Sequence, residues 1–134
     1  MEKMNKFDLE ERLINFAVSI VEIDETMPNT RAGNHLGGQL LRSGTSPALN
    51  YGEAQSGESR KDFIHKIKIV LKELRETFIC LKIIHRTKLF KSEEKIISAI
   101  KESNELISIF VKSASTAQKN YEMELLTKSK IKTR

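Results

Sequence analysis

Apolar residues recur at steps of three and four positions over most of the chain, and this spacing restricts the folds open to it. From Phe7 to Met27 the repeating stripe is Leu9, Leu13, Phe16, Ile20, Ile23 and Met27. Such a period places apolar side chains on one face of an α-helix, whereas a strand needs strict alternation, which no segment sustains. The pattern predicts a first helix that ends before Pro28.

The same period appears after Ser59, which with Asp62 forms a near capping box. The stripe that follows is Phe63, Ile67, Val70, Leu74 and Leu81. We predict a helix from Ser59 to about Arg86, because a side-chain oxygen at the first position satisfies a free backbone N–H.

A last periodic segment begins at Ser92, where Glu93 and Glu94 suit the positive end of a helix dipole. Its stripe is Ile96, Ala99, Ile100, Ile107, Phe110, Val111 and Ala114. After Lys119 the chain becomes polar and basic, so we expect the helix to fray there.

The stretch between Asn29 and Gly57 holds all six glycines and Pro47. Propensity alone favours a loop, because an internal glycine costs about 1 kcal/mol and a proline about 3 kcal/mol. A helical step nevertheless persists in Leu36, Leu40, Ser43, Pro47, Asn50 and Ala54. We predict a second helix with a face of small residues, kinked near Pro47, whose missing N–H leaves the Ser43 carbonyl free.

Four amphipathic helices with short connections predict an all-α fold, an antiparallel up-down-up-down four-helix bundle. We place the bundle domain at residues 1–119 and a basic, flexible C-terminal tail at residues 120–134. The first residues lack the apolar core of a signal peptide, and no apolar run approaches the roughly 18 residues of a membrane span. We therefore expect a cytoplasmic protein without a membrane partner, and the single cysteine, Cys80, suits a reducing compartment.

The chain shows no arrangement of residues typical of catalysis. Its three histidines, His35, His65 and His85, lack metal-binding spacing, and no Glu-x-x-His occurs. Two Ser-x-x-Lys matches, at Ser92 and Ser98, lack the companion motifs of serine acylases. We interpret Cys80 as a buried structural thiol and expect neither enzyme activity nor a metal or cofactor.

One charged surface is more informative. The chain carries 23 basic and 18 acidic residues, a net charge of +5. On the third helix, six basic residues fall within about 80° of one another on the helical wheel. These residues, here called the basic ridge, are Lys61, Lys68, Lys72, Arg75, Lys82 and Arg86. The ridge is either an ordinary solvated face or a phosphate-binding surface, since acidic Asp62, Glu73 and Glu76 lie on a separate side. Tyr51 and Tyr121 are the only candidates for stacking on bases, so we expect contact with RNA or DNA backbone.

Apolar residues also fall outside the core stripes. Ile69, Ile79 and Ile83 lie on the polar half of the third helix, and the first helix is apolar over more than half its circumference. A monomer exposes little continuous apolar surface, so we predict a homo-oligomer. The acidic first helix of one subunit is expected near the basic third helix of the next.

The stretch Gln39–Ala54 and the run Lys72–Thr77, together with Ser59 and Phe63, resemble a known family. It is the four-helix-bundle family of proteins encoded in intervening sequences of bacterial 23S ribosomal RNA genes. The similarity extends over roughly residues 7–115. It implies a helical second segment and a ring-shaped homo-oligomer, typically a pentamer.

One branch of that family is the accessory protein of diversity-generating retroelements, a basic protein. The resemblance thereby implies nucleic acid, a reverse transcriptase or another protein as partners. Positions that match the family motif are Arg42, Ser43, Ser46, Asn50, Glu53, Glu73 and Glu76. We interpret them as a hydrogen-bond network that fixes helix register, in which a buried Glu53 would need a partner. General acid–base chemistry by Glu53 is the alternative.

These observations favour a non-enzymatic oligomeric module that binds RNA or DNA backbone. A protein–protein interaction scaffold, with the basic ridge binding an acidic partner, is the second hypothesis, and an enzyme is the third. The basic tail, with Lys128, Lys130, Lys132 and Arg134, competes with the basic ridge as the binding element.

Overall fold

The computed structural model of this protein describes residues 5–57 and 59–132. Within these ranges the chain forms four α-helices: α1 (Lys6–Glu25), α2 (Arg31–Gln55), α3 (Arg60–Thr87) and α4 (Glu93–Lys132). The described residues include no strand, so the predicted all-α class is confirmed. Residues 1–4, 58 and 133–134, which include the outer ends of the predicted domain and tail, lie outside the described residues.

Side-chain caps determine where the helices begin. Asn5, Thr30, Ser59 and Ser92 each accept a hydrogen bond from the backbone N–H three residues later, at 2.9, 3.0, 3.1 and 3.3 Å respectively. Each bond satisfies a donor that has no partner inside the helix. At the other end of α3, Lys88 adopts a left-handed conformation (φ 55°) that ends the helix.

Each helix packs against its neighbours in the chain, and α4 packs against α1, which gives the predicted up-down-up-down bundle. Among the described residues the backbones of α1 and α3 do not approach each other closely, nor do those of α2 and α4, so these pairs lie diagonally across the bundle. The fully buried core includes Leu13, Ile20, Leu40, Leu74, Leu81 and Phe110. Burial of each such side chain contributes about 1.5–3 kcal/mol, and this burial holds the fold together. No helix within the described ranges combines the length and apolar character needed to cross a membrane.

The glycines of α2 allow α1 to approach closely. A Cβ atom added at Gly44 would lie 2.7 Å from the side chain of Ile20, which is itself fully buried. One at Gly37 would lie 2.6 Å from Oδ1 of Asp24. The glycine content therefore reflects a small-residue helix face, as predicted, and α2 continues through Pro47.

An ion-pair cluster links α1 to α4. Arg12 donates hydrogen bonds to Glu102 at 2.7 and 2.8 Å and to Glu105 at 2.5 Å. The hydrogen bond to Glu102 raises the pKa of the Arg12 guanidinium against the opposing effect of burial. The ion pair therefore joins two helices that lie side by side in the bundle.

Helix α4 continues further than the sequence indicated. We expected its end at Lys119, whereas the helix runs to Lys132. Arg60, the first residue of α3, donates a hydrogen bond at 2.8 Å to Glu124, which also pairs with Lys128 at 3.4 Å. The Arg60–Glu124 pair joins α4 to the start of α3, and the eight residues after Glu124 extend roughly 12 Å past that point. The domain boundary drawn at residue 119 stays a prediction.

Substitution of Gly44 should test the close approach of α1 and α2. We expect Gly44→Ala to lower the free energy of unfolding by about 1–3 kcal/mol, because the buried Ile20 side chain cannot move away. Gly38→Ala is the matched control, since no atom lies within 4 Å of its added Cβ. At position 38 the higher helix propensity of alanine than of glycine should stabilise the protein by about 0.5–1 kcal/mol. Urea denaturation measures the free energy of unfolding of both variants. A Gly44→Ala variant as stable as Gly38→Ala would contradict this account.

The contact between α4 and Arg60 should depend on pH. Hydrogen bonds from Arg60 and Lys128 lower the pKa of Glu124 below its ordinary value of 4.5. A lowered pKa in the folded protein means that the stabilisation is present above pH 4.5 and is lost as the pH falls through the lowered value. Glu124→Gln should therefore increase amide hydrogen exchange of residues 120–130 at neutral pH. The difference in exchange between variant and parent should vanish in acid. Equal exchange of the two proteins at neutral pH would contradict a stabilising contact between Arg60 and Glu124.

Candidate nucleic-acid interface

The basic ridge lies on the side of α3 that faces away from the core. Helix α3 buries Ile67, Leu74 and Leu81 against its neighbours. The basic ridge residues Lys61, Lys68, Lys72, Arg75 and Arg86 are exposed, and Lys82 is half-buried. The Nζ atom of Lys82 lies 5.0 Å from the centroid of the Phe78 ring, which holds this ammonium group against the helix surface.

The positive charges of the basic ridge are not neutralised within the described part of the molecule. None of the six forms an ion pair with another described residue. Arg12, Arg42 and Arg60, by contrast, each pair with a glutamate on another helix. Six cations without an ion-pair partner among the described residues create a positive potential along α3 that an anion can reach.

The C-terminal half of the basic ridge also contains apolar surface. Ile79 and Ile83 are 53% and 43% exposed, whereas Ile69 is half-buried. The two exposed isoleucines line a groove of about 430 Å³ between α2 and α3, together with Leu36, Gln39, Arg75, Glu76 and Cys80. This half is therefore a mixed apolar and basic surface, while the half from Lys61 to Lys72 is basic without exposed isoleucine.

Cys80 lies at the base of that groove and is buried. Its Sγ atom is 3.5 Å from the carbonyl oxygen of Leu36. Burial, assisted by the negative charge of Glu76, raises the pKa of the Cys80 thiol to about 11. The thiol therefore stays protonated near neutral pH, and its environment is that of a structural cysteine.

The family-motif residues of α2 hold this helix against α3. Arg42 donates a hydrogen bond to Glu73 at 3.0 Å and also pairs with Glu76. The hydroxyl oxygens of Ser43 and Thr77 lie 2.9 Å apart in the buried interface. Polar pairs at defined positions fix how the two helices slide relative to each other, because any shift would leave buried groups without partners.

Further down α2 the remaining motif residues lie closer to solvent. Asn50 donates a hydrogen bond to Ser46 Oγ at 2.8 Å. Glu53 pairs with Lys66 at 2.5 Å and is exposed, which differs from the burial we expected. The buried carboxylate is instead Glu73, whose charge Arg42 balances. The Glu53 carboxylate is thus an exposed ion-pair partner of Lys66.

Two aromatic residues proposed as stacking platforms occupy different environments. Tyr51 is buried, and its ring meets Phe110 edge to face at a centroid distance of 5.5 Å. It therefore cannot stack on a base, and the expectation of a surface Tyr51 was wrong. Tyr121 is half-buried on α4. With Tyr51 in the core, contacts to phosphate are the chemistry that this surface offers.

The polar residues considered for catalysis do not converge in the structure. The part of the chain that it describes contains no group of three or more histidine, cysteine, aspartate or glutamate residues able to hold a metal ion. His85 contacts Glu93 at 3.1 Å, and Ser92 caps α4. A groove of about 700 Å³ separates α1 from α4, and Ser98 lies in it beside serines and side chains of both charges. Ser98 there has no neighbouring histidine to act as a base.

Sequence reasoning missed two residues that the structure brings to this interface. Thr77 is fully buried and contacts Ser43, and Lys66 pairs with Glu53. The signal for Thr77 was available, because it lies on the apolar side of α3, where a hydroxyl group requires a partner. The pairing of Lys66 depends on how α2 and α3 align, which a single sequence does not reveal.

Comparison with known proteins identifies relatives of this chain. The family model described as 23S rRNA-intervening sequence protein matches residues 5–112. A crystal structure of a protein of unknown function, from the S23 ribosomal protein family of Bacteroides thetaiotaomicron, is 33% identical in sequence with a TM-score of 0.73. The match covers 79% of this chain and 97% of that protein. A search of curated proteins found no match.

The family match extends over most of the bundle, from the cap of α1 into α4. The structural match likewise covers most of the chain. The chain therefore belongs to the family of 23S rRNA-intervening sequence proteins.

Proposed function

We propose that this protein is a non-enzymatic, oligomeric module that binds the backbone of RNA or DNA through the basic ridge of α3. The observation that carries the proposal is the row of six outward-facing cations, none of which has an ion-pair partner among the described residues. Unpaired like charges on one helix repel each other, and an external polyanion relieves that repulsion. The family's association with ribosomal RNA genes agrees with a nucleic-acid ligand.

The chemistry of the basic ridge favours phosphate over base recognition. Lysine and arginine side chains contact phosphate oxygens without reading sequence, and no exposed tyrosine accompanies them on α3. Binding of this kind releases condensed counterions and is nearly indifferent to sequence. The protein would then act where nucleic acid is free in the cytoplasm.

Oligomerisation would increase the affinity of the basic ridge for a polyanion. Phe7, Ile14, Val18 and Val21 of α1 are exposed, which is more apolar surface than one helix of a monomer leaves in water. In a ring of copies, five in the form that the resemblance implies, the basic ridge repeats around the axis. A polyanion that spans several copies gains affinity by multivalency without any new contact.

A protein–protein interaction scaffold is the second candidate function. The exposed Ile79 and Ile83 favour it, because apolar side chains within a basic surface suit a protein partner better than a phosphate backbone. A reverse transcriptase or another protein with an acidic, apolar face would fit this part of the surface. Such a scaffold would bind nucleic acid weakly or not at all.

Reversal of charge in the N-terminal half of the basic ridge should abolish nucleic-acid binding. We expect Lys61→Glu, Lys68→Glu and Lys72→Glu together to weaken binding of random-sequence RNA by more than about tenfold at low salt. All three side chains are exposed, so circular dichroism should show unchanged helicity. Fluorescence anisotropy with a labelled RNA measures the affinity.

Two controls separate the basic ridge from other sources of positive charge. Lys101→Glu, Lys112→Glu and Lys119→Glu change the net charge equally on the exposed face of α4, and this variant should bind nearly as well as the parent. Truncation after Leu125 removes Lys128, Lys130, Lys132 and Arg134, the cations of the predicted tail, but keeps the residues that form the contact between Arg60 and Glu124. If the truncated protein loses RNA binding and the Lys61, Lys68 and Lys72 variant keeps it, the tail is the binding element. If the parent does not bind RNA, the scaffold function replaces this proposal.

A further inference from the structure

The outer face of α1 carries an apolar stripe with an acidic border. The stripe consists of Phe7, Ile14, Val18 and Val21, and their spacing places them on one side of the helix, opposite the core residues Leu13 and Ile20. The exposed border is formed by Glu11, Glu22 and Glu25, none of which pairs with a described cation. This α1 stripe therefore presents apolar surface and negative charge together.

The groove between α2 and α3 lies beside several cations, and the acidic residue in its lining, Glu76, pairs with Arg42. Leu36, Ile79 and Ile83 line it, and the buried Cys80 lies at its base. The side chains of Arg75, Lys82 and Arg86 belong to the adjoining C-terminal half of the basic ridge. This α2–α3 groove is thus an apolar surface with a basic border.

We propose that the α1 stripe of one copy docks in the α2–α3 groove of a second copy. This inference rests on the oligomeric part of the proposed function and assigns its contact surfaces. Apolar surface is buried on both sides, and the acidic border of α1 meets the basic border of the groove. Docking of two α1 stripes, or of two grooves, would instead bring like charges together.

The position of the two surfaces in the bundle determines what the contact builds. Helices α1 and α3 lie diagonally across the bundle, so their outer faces point away from each other. Each copy can therefore accept one neighbour on α1 and another on the α2–α3 groove. A head-to-tail contact of this kind closes into a ring when its rotation divides a full turn evenly.

The proposed contact divides the basic ridge into two parts with different tasks. Arg75, Lys82 and Arg86 meet the acids of the neighbouring α1. Lys61, Lys68 and Lys72 lie about one to seven turns nearer the N-terminus of α3 than these three residues and stay available to phosphate. Assembly and nucleic-acid binding therefore depend on separate residues, and their loss can be measured separately.

Charge-reversal variants with complementation test the contact. The α1 variant carries Glu11→Lys, Glu22→Lys and Glu25→Lys, and the α3 variant carries Arg75→Glu, Lys82→Glu and Arg86→Glu. We expect light scattering to show a parent mass several times 15.3 kDa and each single-helix variant near 15.3 kDa. The combined variant, in which both borders are reversed, should recover the parent mass. The α4 variant Lys101→Glu, Lys112→Glu and Lys119→Glu is the matched control and should keep it.

Cross-linking gives an independent measure that does not rely on charge reversal. Val18→Cys and Ile83→Cys variants are mixed and treated with a short bismaleimide, while the native Cys80 thiol is protected by burial. The expected product is a covalent dimer of the two variants, and Val18→Cys mixed with Lys112→Cys should give none. A dimer with Lys112→Cys and none with Ile83→Cys would overturn the proposed pairing.

The remaining outcomes are also decisive. A parent mass of 15.3 kDa at tens of micromolar overturns both this inference and the oligomeric part of the proposed function. An oligomeric parent whose mass neither variant changes, or whose combined variant fails to recover, overturns the α1-to-groove contact alone. Retention of RNA binding by the Lys61, Lys68 and Lys72 variant bears on the proposed function and not on this contact.

Discussion

The buried side chain of Ile20 lies so close to Gly44 that any Cβ atom at that position would be 2.7 Å from it. This approach of α1 to α2 is one of the contacts that hold α2 in place, and the Ser43–Thr77 and Arg42–Glu73 pairs with α3 are others. Because the backbones of α1 and α3 both lie beside α2 and not beside each other, these helices occupy opposite corners of the bundle. The acidic outer face of α1 and the basic outer face of α3 are separated for that reason. The proposed assembly depends on this separation.

The molecule uses its cations in two different ways. Arg12, Arg42 and Arg60 bridge pairs of helices, and each lies within hydrogen-bond distance of a glutamate. Exposed ion pairs contribute little stability on average, so their main effect here is to fix alignment between helices. The basic ridge has no such role inside one copy, and its mutual repulsion opposes folding slightly. A surface that does not stabilise its own fold is well suited to binding something else.

Much of the fold could be predicted from the sequence, because helical periodicity and capping residues are local properties. Ser59 and Ser92 cap helices as expected, and Pro28 lies just beyond the end of α1. Properties that depend on residues distant in sequence were harder to predict. Tyr51 was expected at the surface and lies in the core against Phe110, and the buried carboxylate is Glu73 in place of Glu53. The helical continuation to Lys132 depends partly on Arg60, which is 64 residues away from Glu124 in sequence. The position of the basic ridge on one exposed face followed from helix geometry alone, whereas its lack of internal partners required the structure.

The central claim is that the outward face of α3 binds a phosphate backbone, and the salt dependence of RNA affinity tests it most directly. Contact of three to six ridge cations with single-stranded RNA should give a slope of log affinity against log salt between about −2 and −4. Equal slopes for two unrelated sequences would agree with recognition of the backbone alone. A slope near zero, or no measurable affinity at low salt, would contradict the account.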